Sequence, residues 1–177
     1  MVEQVAELIR ESKDSVAVHF RRGDYVRTAN FFEQGKGLPR DEFDRKKREW
    51  LEKIGPNIPL SLDYYYNAIE VLKSKFSNLE LFIFSDDIAS VKKEFRPSCK
   101  HYFVEERFHA HDTMRLMSLC HHAVIANSSF SWWAAWLNPL SSKAVIAPAP
   151  WFSNDPILDE NIVPESWIRL PAHSGKG

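Results

Sequence analysis

Short apolar segments alternate with amphipathic segments along most of this chain. Residues 16–20, 79–84, 102–104, 123–126 and 144–147 are apolar on both faces and are flanked by turn-forming residues, which predicts buried strands. Apolar positions three and four residues apart predict helices over residues 2–12, 62–76, 88–95, 113–120 and about 130–137. Alternation of this kind predicts an α/β fold, with a Rossmann-like parallel sheet and helices on both faces.

Residues 27–58 interrupt the alternation. They contain Gly35 and Gly37 and the charged run 45–49. A segment of this length is long for a loop in one domain, and such loops tend to be functional or mobile. Two interpretations stay open: a short helix over about residues 42–53 with its charges on a solvated face, or a lid over a ligand site.

Composition narrows the classes of function. The 177 residues suit one domain, and 23 Lys and Arg against 24 Asp and Glu argue against a general nucleic-acid surface. No apolar run approaches the 18 or so residues of a membrane-spanning helix, and the acidic, amphipathic N-terminus is unlike a signal peptide. Cys99 and Cys120 form no disulfide framework and suit a reducing compartment. From the missing signal and anchor we expect a cytoplasmic location.

Positive charge follows the first predicted strand. Arg21 and Arg22 come directly after His19 and Phe20, and Gly23 and Asp24 follow them. Open α/β sheets bind ligands at the carboxyl ends of their strands, and a guanidinium suits phosphate because its planar fork donates parallel hydrogen bonds. The alternative is a surface turn with an Arg–Asp ion pair.

Carboxylates stand at two further junctions. Ser85, Asp86 and Asp87 follow the second predicted strand, where Ser85 or Asp86 could cap the next helix or the carboxylates could pair with the arginines. A metal site there would need more oxygen ligands than the sequence suggests. Asp112 is predicted to cap helix 113–120, and a carboxylate so placed can also accept two hydrogen bonds from a guanine edge. The nearby histidines complete no four-ligand zinc set.

Asn127, Ser128 and Ser129 lie between the fourth predicted strand and the next helix. The first amides of a helix lack intrahelical partners and form a ready anion site. A glycine-rich dinucleotide fingerprint is missing, so serine would have to contact phosphate here. The tryptophans at 132, 133 and 136 lie inside the predicted helix and are expected to pack in the core rather than to form a sugar-binding platform.

Four motifs in this order resemble the alpha-1,2-fucosyltransferase family, glycosyltransferase family 11. They are HFRRGDY at 19–25, FSDD at 84–87, Asp112 with LMS at 116–118, and ANSSFSWWAAWL at 126–137. The resemblance runs from about residue 16 to residue 152. It implies a GT-B-like enzyme that transfers L-fucose from GDP-β-L-fucose to a galactose 2-hydroxyl of a glycan, with inversion and without a cofactor or required metal.

The resemblance also implies roles for individual residues. Arg21 would hold the β-phosphate, Asp112 would read guanine, and Ser128 or Ser129 would bind the phosphates. The catalytic residues expected from it are Arg21, Arg22 and Asp24. The donor-binding residues expected from it are His19, Arg21, Asp86, Asp87, Asp112, Asn127, Ser128 and Ser129.

The chain differs from the family pattern in its N-terminal region. Family members carry an N-terminal domain with a Gly-Asn-Gln segment before the arginine motif, which here begins at residue 19. We therefore expect residues 1–177 to be a single GDP-sugar-binding domain, the C-terminal half of a GT-B-like enzyme. Membrane association through a glycan-assembly pathway stays compatible with this reading. One alternative is a GDP- or GDP-sugar-binding domain without catalysis. A phosphoryl-transfer domain is another, against which the lack of a glycine-rich phosphate loop argues.

Overall fold

Strands and helices alternate along the chain in a computed structural model, which describes residues 1–54, 59–104, 108–152 and 161–173. The strands are β1 (Asp14–Phe20), β2 (Leu79–Ser85), β3 (Lys100–Phe103), β4 (His122–Val124), β5 (Val145–Ala149) and β6 (Ile168–Pro171). The helices are α1 (Val2–Glu11), α2 (Gly23–Gly35), α3 (Arg40–Ile54), α4 (Leu62–Lys73), α5 (Ile88–Glu94), α6 (Ala110–Leu119) and α7 (Ser129–Leu137).

The strands form one six-stranded sheet in the order β3-β2-β1-β4-β5-β6, and every pairing is parallel. This confirms the predicted Rossmann-like α/β fold. The strand order reverses direction between β1 and β4, and the crevice at such a reversal is where open α/β sheets bind ligands. The residues that follow β1 and β4 therefore occupy the position of a candidate site.

Side chains alternate between two apolar layers, one on each face of the sheet. In β1, Val16, Val18 and Phe20 pack with α4 and α5, whereas Ala17 packs with α1, α6 and α7. Successive side chains of a strand point to opposite faces, so a strand that is apolar at every position needs both faces covered. The helices predicted at 2–12, 62–76, 88–95, 113–120 and 130–137 supply that cover.

Two buried tyrosines of α4 tie the helix to the strand ends. The Tyr64 hydroxyl lies 2.7 Å from the Ile125 carbonyl oxygen and 3.1 Å from that of Ile146. The Tyr65 hydroxyl donates to the His19 carbonyl oxygen at 3.1 Å, and its ring stacks on Phe20 with centroids 3.7 Å apart. Burial raises the pKa of both phenols, so both hydroxyls stay protonated donors. These bonds fix the backbone where β1 and β4 end.

The segment predicted as a loop at 27–58 is helical over most of its described length. The prediction of a loop is wrong for residues 27–35, which belong to α2, and the helix predicted at 42–53 is confirmed within α3. Ion pairs between Glu42 and Lys46 and between Arg45 and Glu49, each four residues apart, hold the charges of α3 on an exposed face. Residues 55–58 lie outside the described residues, and the lid interpretation stays a prediction.

Strand β6 was not predicted. It pairs with β5 at the edge of the sheet, and its side chains are only partly buried or exposed. An edge strand that contains a proline lacks the continuous apolar run that marked the inner strands. Among the described helices, none is both long and apolar enough to cross a membrane.

Candidate active site

Two open clefts lie at the carboxyl edge of the sheet and share the start of α7. The first, the arginine cleft, has a volume of about 410 Å³. It is lined by His19, Arg21, Phe84, Ser85, Asp86, Phe108, Ala110, Thr113 and Phe130. The carboxyl ends of β1 and β2 and the first turns of α6 and α7 therefore converge on it.

Arg21 is held in the arginine cleft by two carboxylates. Its Nη2 lies 2.7 Å from Oδ1 of Asp24, and its Nη1 lies 3.1 Å from Oδ2 of Asp86. About a third of the side chain stays exposed. The ion pairs predicted for Asp24 and Asp86 are confirmed. A guanidinium carries five N–H donors in a rigid fork, so two ion pairs leave donor capacity for an anion in the cleft.

Arg22 turns away from the arginine cleft. Its guanidinium pairs with Glu94 of α5 at 2.7 Å, while its backbone N–H donates to Oδ1 of Asp86 at 2.7 Å. The next residue, Gly23, begins α2, and a Cβ placed there would lie 2.7 Å from Oδ2 of Asp86. The absence of a side chain at Gly23 thus leaves room for the carboxylate that holds Arg21.

His19 forms part of the floor of the arginine cleft and is buried at 4% exposure. Burial lowers its pKa from the usual 6.5 to about 4, with a smaller contribution from Arg21, against the opposing effect of Asp86. The ring is therefore neutral at pH 7. Its Nδ1 is buried without a hydrogen-bond partner among the described residues.

Asp87 caps α5 instead of lining the arginine cleft. It accepts hydrogen bonds from the backbone N–H of Ser90 at 3.1 Å and from the Ser90 hydroxyl at 2.6 Å, which lower its pKa. The prediction that Ser85 or Asp86 would cap this helix is wrong by one or two positions. Ser85 instead accepts from the Asp87 N–H at 3.0 Å, which leaves Asp86 directed to Arg21.

Asp112 lies in the first turn of α6, not at its N-cap. The helix begins at Ala110, three residues earlier than predicted, and His109 holds the N-cap position. The prediction of Asp112 as N-cap is therefore wrong, although its carboxylate still suits the positive end of the helix dipole. Ala110 and Thr113 line the arginine cleft, whereas Asp112 does not.

The remaining predicted site residues lie at the junction between β4 and α7, in two different environments. Ser128 is the N-cap of α7 and makes no side-chain cap bond. Asn127 and Ser129 line the second cleft, not the arginine cleft. The Tyr25 hydroxyl donates to the Asn127 carbonyl oxygen at 3.0 Å. This hydrogen bond joins the segment after β1 to the segment after β4.

The second cleft, the aromatic cleft, has a volume of about 460 Å³. It is lined by Tyr25, Asn127, Ser129, Trp132, Trp133, Trp151, Phe152, Asn161 and Ile162. The prediction that the helical tryptophans pack in the core is confirmed for Trp132, which contacts the core beside α1 and α6. It is wrong for Trp133 and Trp136, which are 49% and 52% exposed.

Sequence reasoning missed several residues that line the two clefts. Phe130 was inside a recognised motif and Thr113 was next to Asp112, but neither carried an assigned role, and Tyr25 was the last residue of the arginine motif. Trp151 lies beyond the last predicted strand, and only its aromatic character could have drawn attention to it. Among the residues that the structure describes, no three His, Cys, Asp or Glu side chains come together as a metal-binding group.

Sequence comparisons identify the family. The profile of glycosyl transferase family 11 matches residues 47–170, more than two thirds of the chain. The chain is 36% identical over 172 residues to an alpha-1,2-colitosyltransferase from Escherichia coli. The aligned region covers 95% of this chain and 51% of that protein.

The chain is also 30% identical over 167 residues to the O-antigen biosynthesis glycosyltransferase WbnK from Escherichia coli. This aligned region covers 93% of the chain and 47% of that protein. The chain thus spans about half the length of these curated relatives. The chain belongs to glycosyltransferase family 11.

Proposed function

We propose that this chain binds GDP-β-L-fucose and serves the transfer of L-fucose to a galactose 2-hydroxyl of a glycan, with inversion and without a required metal. The observation that carries the proposal is Arg21 in the arginine cleft, oriented by Asp24 and Asp86 at the point where the strand order reverses. A fixed guanidinium at this position suits the diphosphate of a nucleotide sugar.

The reaction needs a cation where charge develops. The acceptor oxygen forms a bond to C1 of fucose, the bond between C1 and the phosphate oxygen breaks, and its electron pair leaves with GDP. The acceptor hydroxyl gives up its proton to a base. Arg21 and the first amides of α7 would stabilise the leaving diphosphate more strongly in the transition state than in the ground state.

The residues near Arg21 have different roles in this proposal. Asp24 and Asp86 act as positioning residues, because each contacts the guanidinium directly. Neutral His19 offers a ring nitrogen to the bound donor. Arg22, paired with Glu94, would act through the backbone of the loop that it shares with Arg21.

The nucleotide contacts come from the other elements at this edge. Asp112 would accept hydrogen bonds from guanine at the start of α6. Asn127, Ser128 and Ser129 would bind from the start of α7, and Asp87 would act through the α5 cap. The name of the colitosyl relative bears on the sugar, because colitose is L-fucose without its 3-hydroxyl.

A second function, GDP-sugar binding without transfer, is favoured by one specific observation. Among the described residues that line the two clefts, Asp86 is the one carboxylate, and it is paired with Arg21. A general base must lie within hydrogen-bond reach of the proton that it removes. If this chain binds the donor alone, the base comes from elsewhere in the complete enzyme.

The test is calorimetric titration of the chain with GDP in the presence of EDTA. We expect Arg21→Ala to raise the Kd by roughly 10- to 100-fold, because a charge-assisted hydrogen bond is worth about 1.5–3 kcal/mol. Arg45→Ala is the matched control, since Arg45 is an exposed, ion-paired arginine on α3. Equal affinities in wild type and Arg21→Ala, or no binding by the wild type, would contradict the proposal.

A transfer assay then separates the two functions. The chain is incubated with lactose and either GDP-fucose or GDP-colitose, and the glycan product is followed by mass spectrometry. Product from GDP-fucose supports the transferase, and product from GDP-colitose alone contradicts the choice of fucose. Tight binding of GDP-fucose without product favours the non-catalytic domain.

A further inference from the structure

We propose that the aromatic cleft is a carbohydrate subsite, which binds a pyranose ring of the acceptor glycan beside the bound donor. The place of this subsite in the reaction depends on the function proposed above. The sugar chemistry of the cleft itself does not, because it is argued from the residues that line it. Ligand sites are concave and mostly apolar, with a few placed polar groups, and this cleft combines five aromatic side chains with two asparagines and a serine.

Trp133 provides an exposed face that packing does not explain. Its side chain is 49% exposed although it borders a cleft. The adjacent Trp132 ring stands nearly perpendicular to it, with centroids 5.0 Å apart. A pyranose presents a face of C–H groups, and covering an indole with that face removes apolar surface from water.

Trp132 is fixed from several sides, so the wall of the cleft is preorganised. Its Nε1 donates to the Ile162 carbonyl oxygen at 2.8 Å, and its ring packs on Trp167 with centroids 5.6 Å apart. On its other side it stacks on Trp136 with centroids 5.2 Å apart. A rigid platform binds with a smaller loss of conformational entropy than a mobile one.

Asn127 supplies an independent sign of a missing polar ligand. The residue is 4% exposed and lines the cleft, and its Oδ1 has no hydrogen-bond partner among the described residues. Its Nδ2 donates to the Trp151 carbonyl oxygen at 3.4 Å, so a purely structural role accounts for the amide nitrogen but not for the oxygen. An unsatisfied buried acceptor is costly, and a sugar hydroxyl is a suitable donor to it.

The two clefts are joined through consecutive residues. Arg21 lines the arginine cleft and its guanidinium carbon lies 5.5 Å from the ring centroid of Tyr25, which lines the aromatic cleft. Ser129 lines the aromatic cleft, and the next residue, Phe130, lines the arginine cleft. A sugar in the aromatic cleft would therefore neighbour a diphosphate bound by Arg21, which suits the acceptor rather than the nucleotide.

The test is an NMR titration of the GDP-saturated chain with methyl β-D-galactopyranoside. We expect Trp133→Ala to raise the galactoside Kd by roughly two- to tenfold, the range for the loss of one aromatic contact, and Trp133→Phe to raise it less. Leu137→Ala is the matched control, because Leu137 is an exposed apolar residue at the end of the same helix and does not line either cleft. The GDP affinity should be the same in all three variants.

The outcomes separate this inference from the proposed function. If the wild type binds GDP but not the galactoside, or if Leu137→Ala weakens galactoside binding as much as Trp133→Ala does, the subsite is refuted and the donor site stands. If Trp133 governs galactoside binding in a chain that does not bind GDP, the subsite stands and the proposed function fails. Far-UV circular dichroism of each variant shows whether it is folded.

Discussion

Replacing His19 with glutamine should remove a pH dependence of stability that its burial creates. In the unfolded chain this histidine binds a proton with a pKa near 6.5, whereas in the folded chain its pKa is about 4. Between these values the unfolded state holds more protons, so the free energy of unfolding falls as the pH falls. The contribution of neutral His19 is complete above about pH 6.5 and is lost as the pH approaches 4.

The size of the effect follows from the same two values. Each pKa unit corresponds to about 1.36 kcal/mol, which gives a total of about 3 kcal/mol and about 2 kcal/mol between pH 7.5 and pH 5. Glutamine does not titrate, so the free-energy difference between wild type and His19→Gln should shrink by about 2 kcal/mol over that interval. His122 and His173, whose pKa values are also lowered by burial, titrate alike in both proteins and cancel.

Urea denaturation followed by circular dichroism measures this difference at a series of pH values. His111→Gln is the matched control, because His111 is an exposed histidine in the first turn of α6. Its stability curve should run parallel to that of the wild type. A gap between wild type and His19→Gln that stays constant from pH 7.5 to pH 5 would refute the assignment of His19 as a buried, neutral ring.

Two further substitutions test the supports of the arginine cleft. Gly23→Ala should weaken GDP binding by up to roughly tenfold in calorimetry while leaving the fold intact, because the new methyl group must displace the Asp86 carboxylate from Arg21; an unchanged Kd would contradict this. Tyr64→Phe should lower the free energy of unfolding by about 1–3 kcal/mol in urea denaturation, because it removes the hydroxyl that donates to the buried Ile125 carbonyl oxygen, whereas the Ile146 carbonyl oxygen keeps the Ile125 N–H as a donor. Tyr66→Phe, at a part-exposed ring, should cost less, and equal losses would argue against the buried bonds.

The fold could be predicted from the sequence wherever an element has a clear local pattern of apolar residues. Residues 16–20 of β1 and 79–84 of β2 are mostly apolar, and these two predictions lie inside the observed strands. The misses have physical causes. β6 is a half-covered edge strand with an exposed arginine, and α2 contains glycine and asparagine, which have low helix propensity.

The candidate site was predictable in its elements but not in its geometry. The motifs marked the correct strand ends, because the carboxyl edge follows from topology alone. A shift of one residue decides which carboxylate caps a helix and which one faces the cleft. Here Asp87 caps α5, and Asp86 pairs with Arg21. The exposure of Trp133 is a property of tertiary packing, and helical periodicity does not encode it.

The paired carboxylates of Arg21 also bear on how a product would leave. Asp24 and Asp86 serve as resident counterions, so the guanidinium is paired when no diphosphate is bound. A diphosphate that binds here would use the donors that these ion pairs leave, and it would depart without leaving an uncompensated charge behind. The cation would therefore keep its place and its orientation from one bound nucleotide to the next.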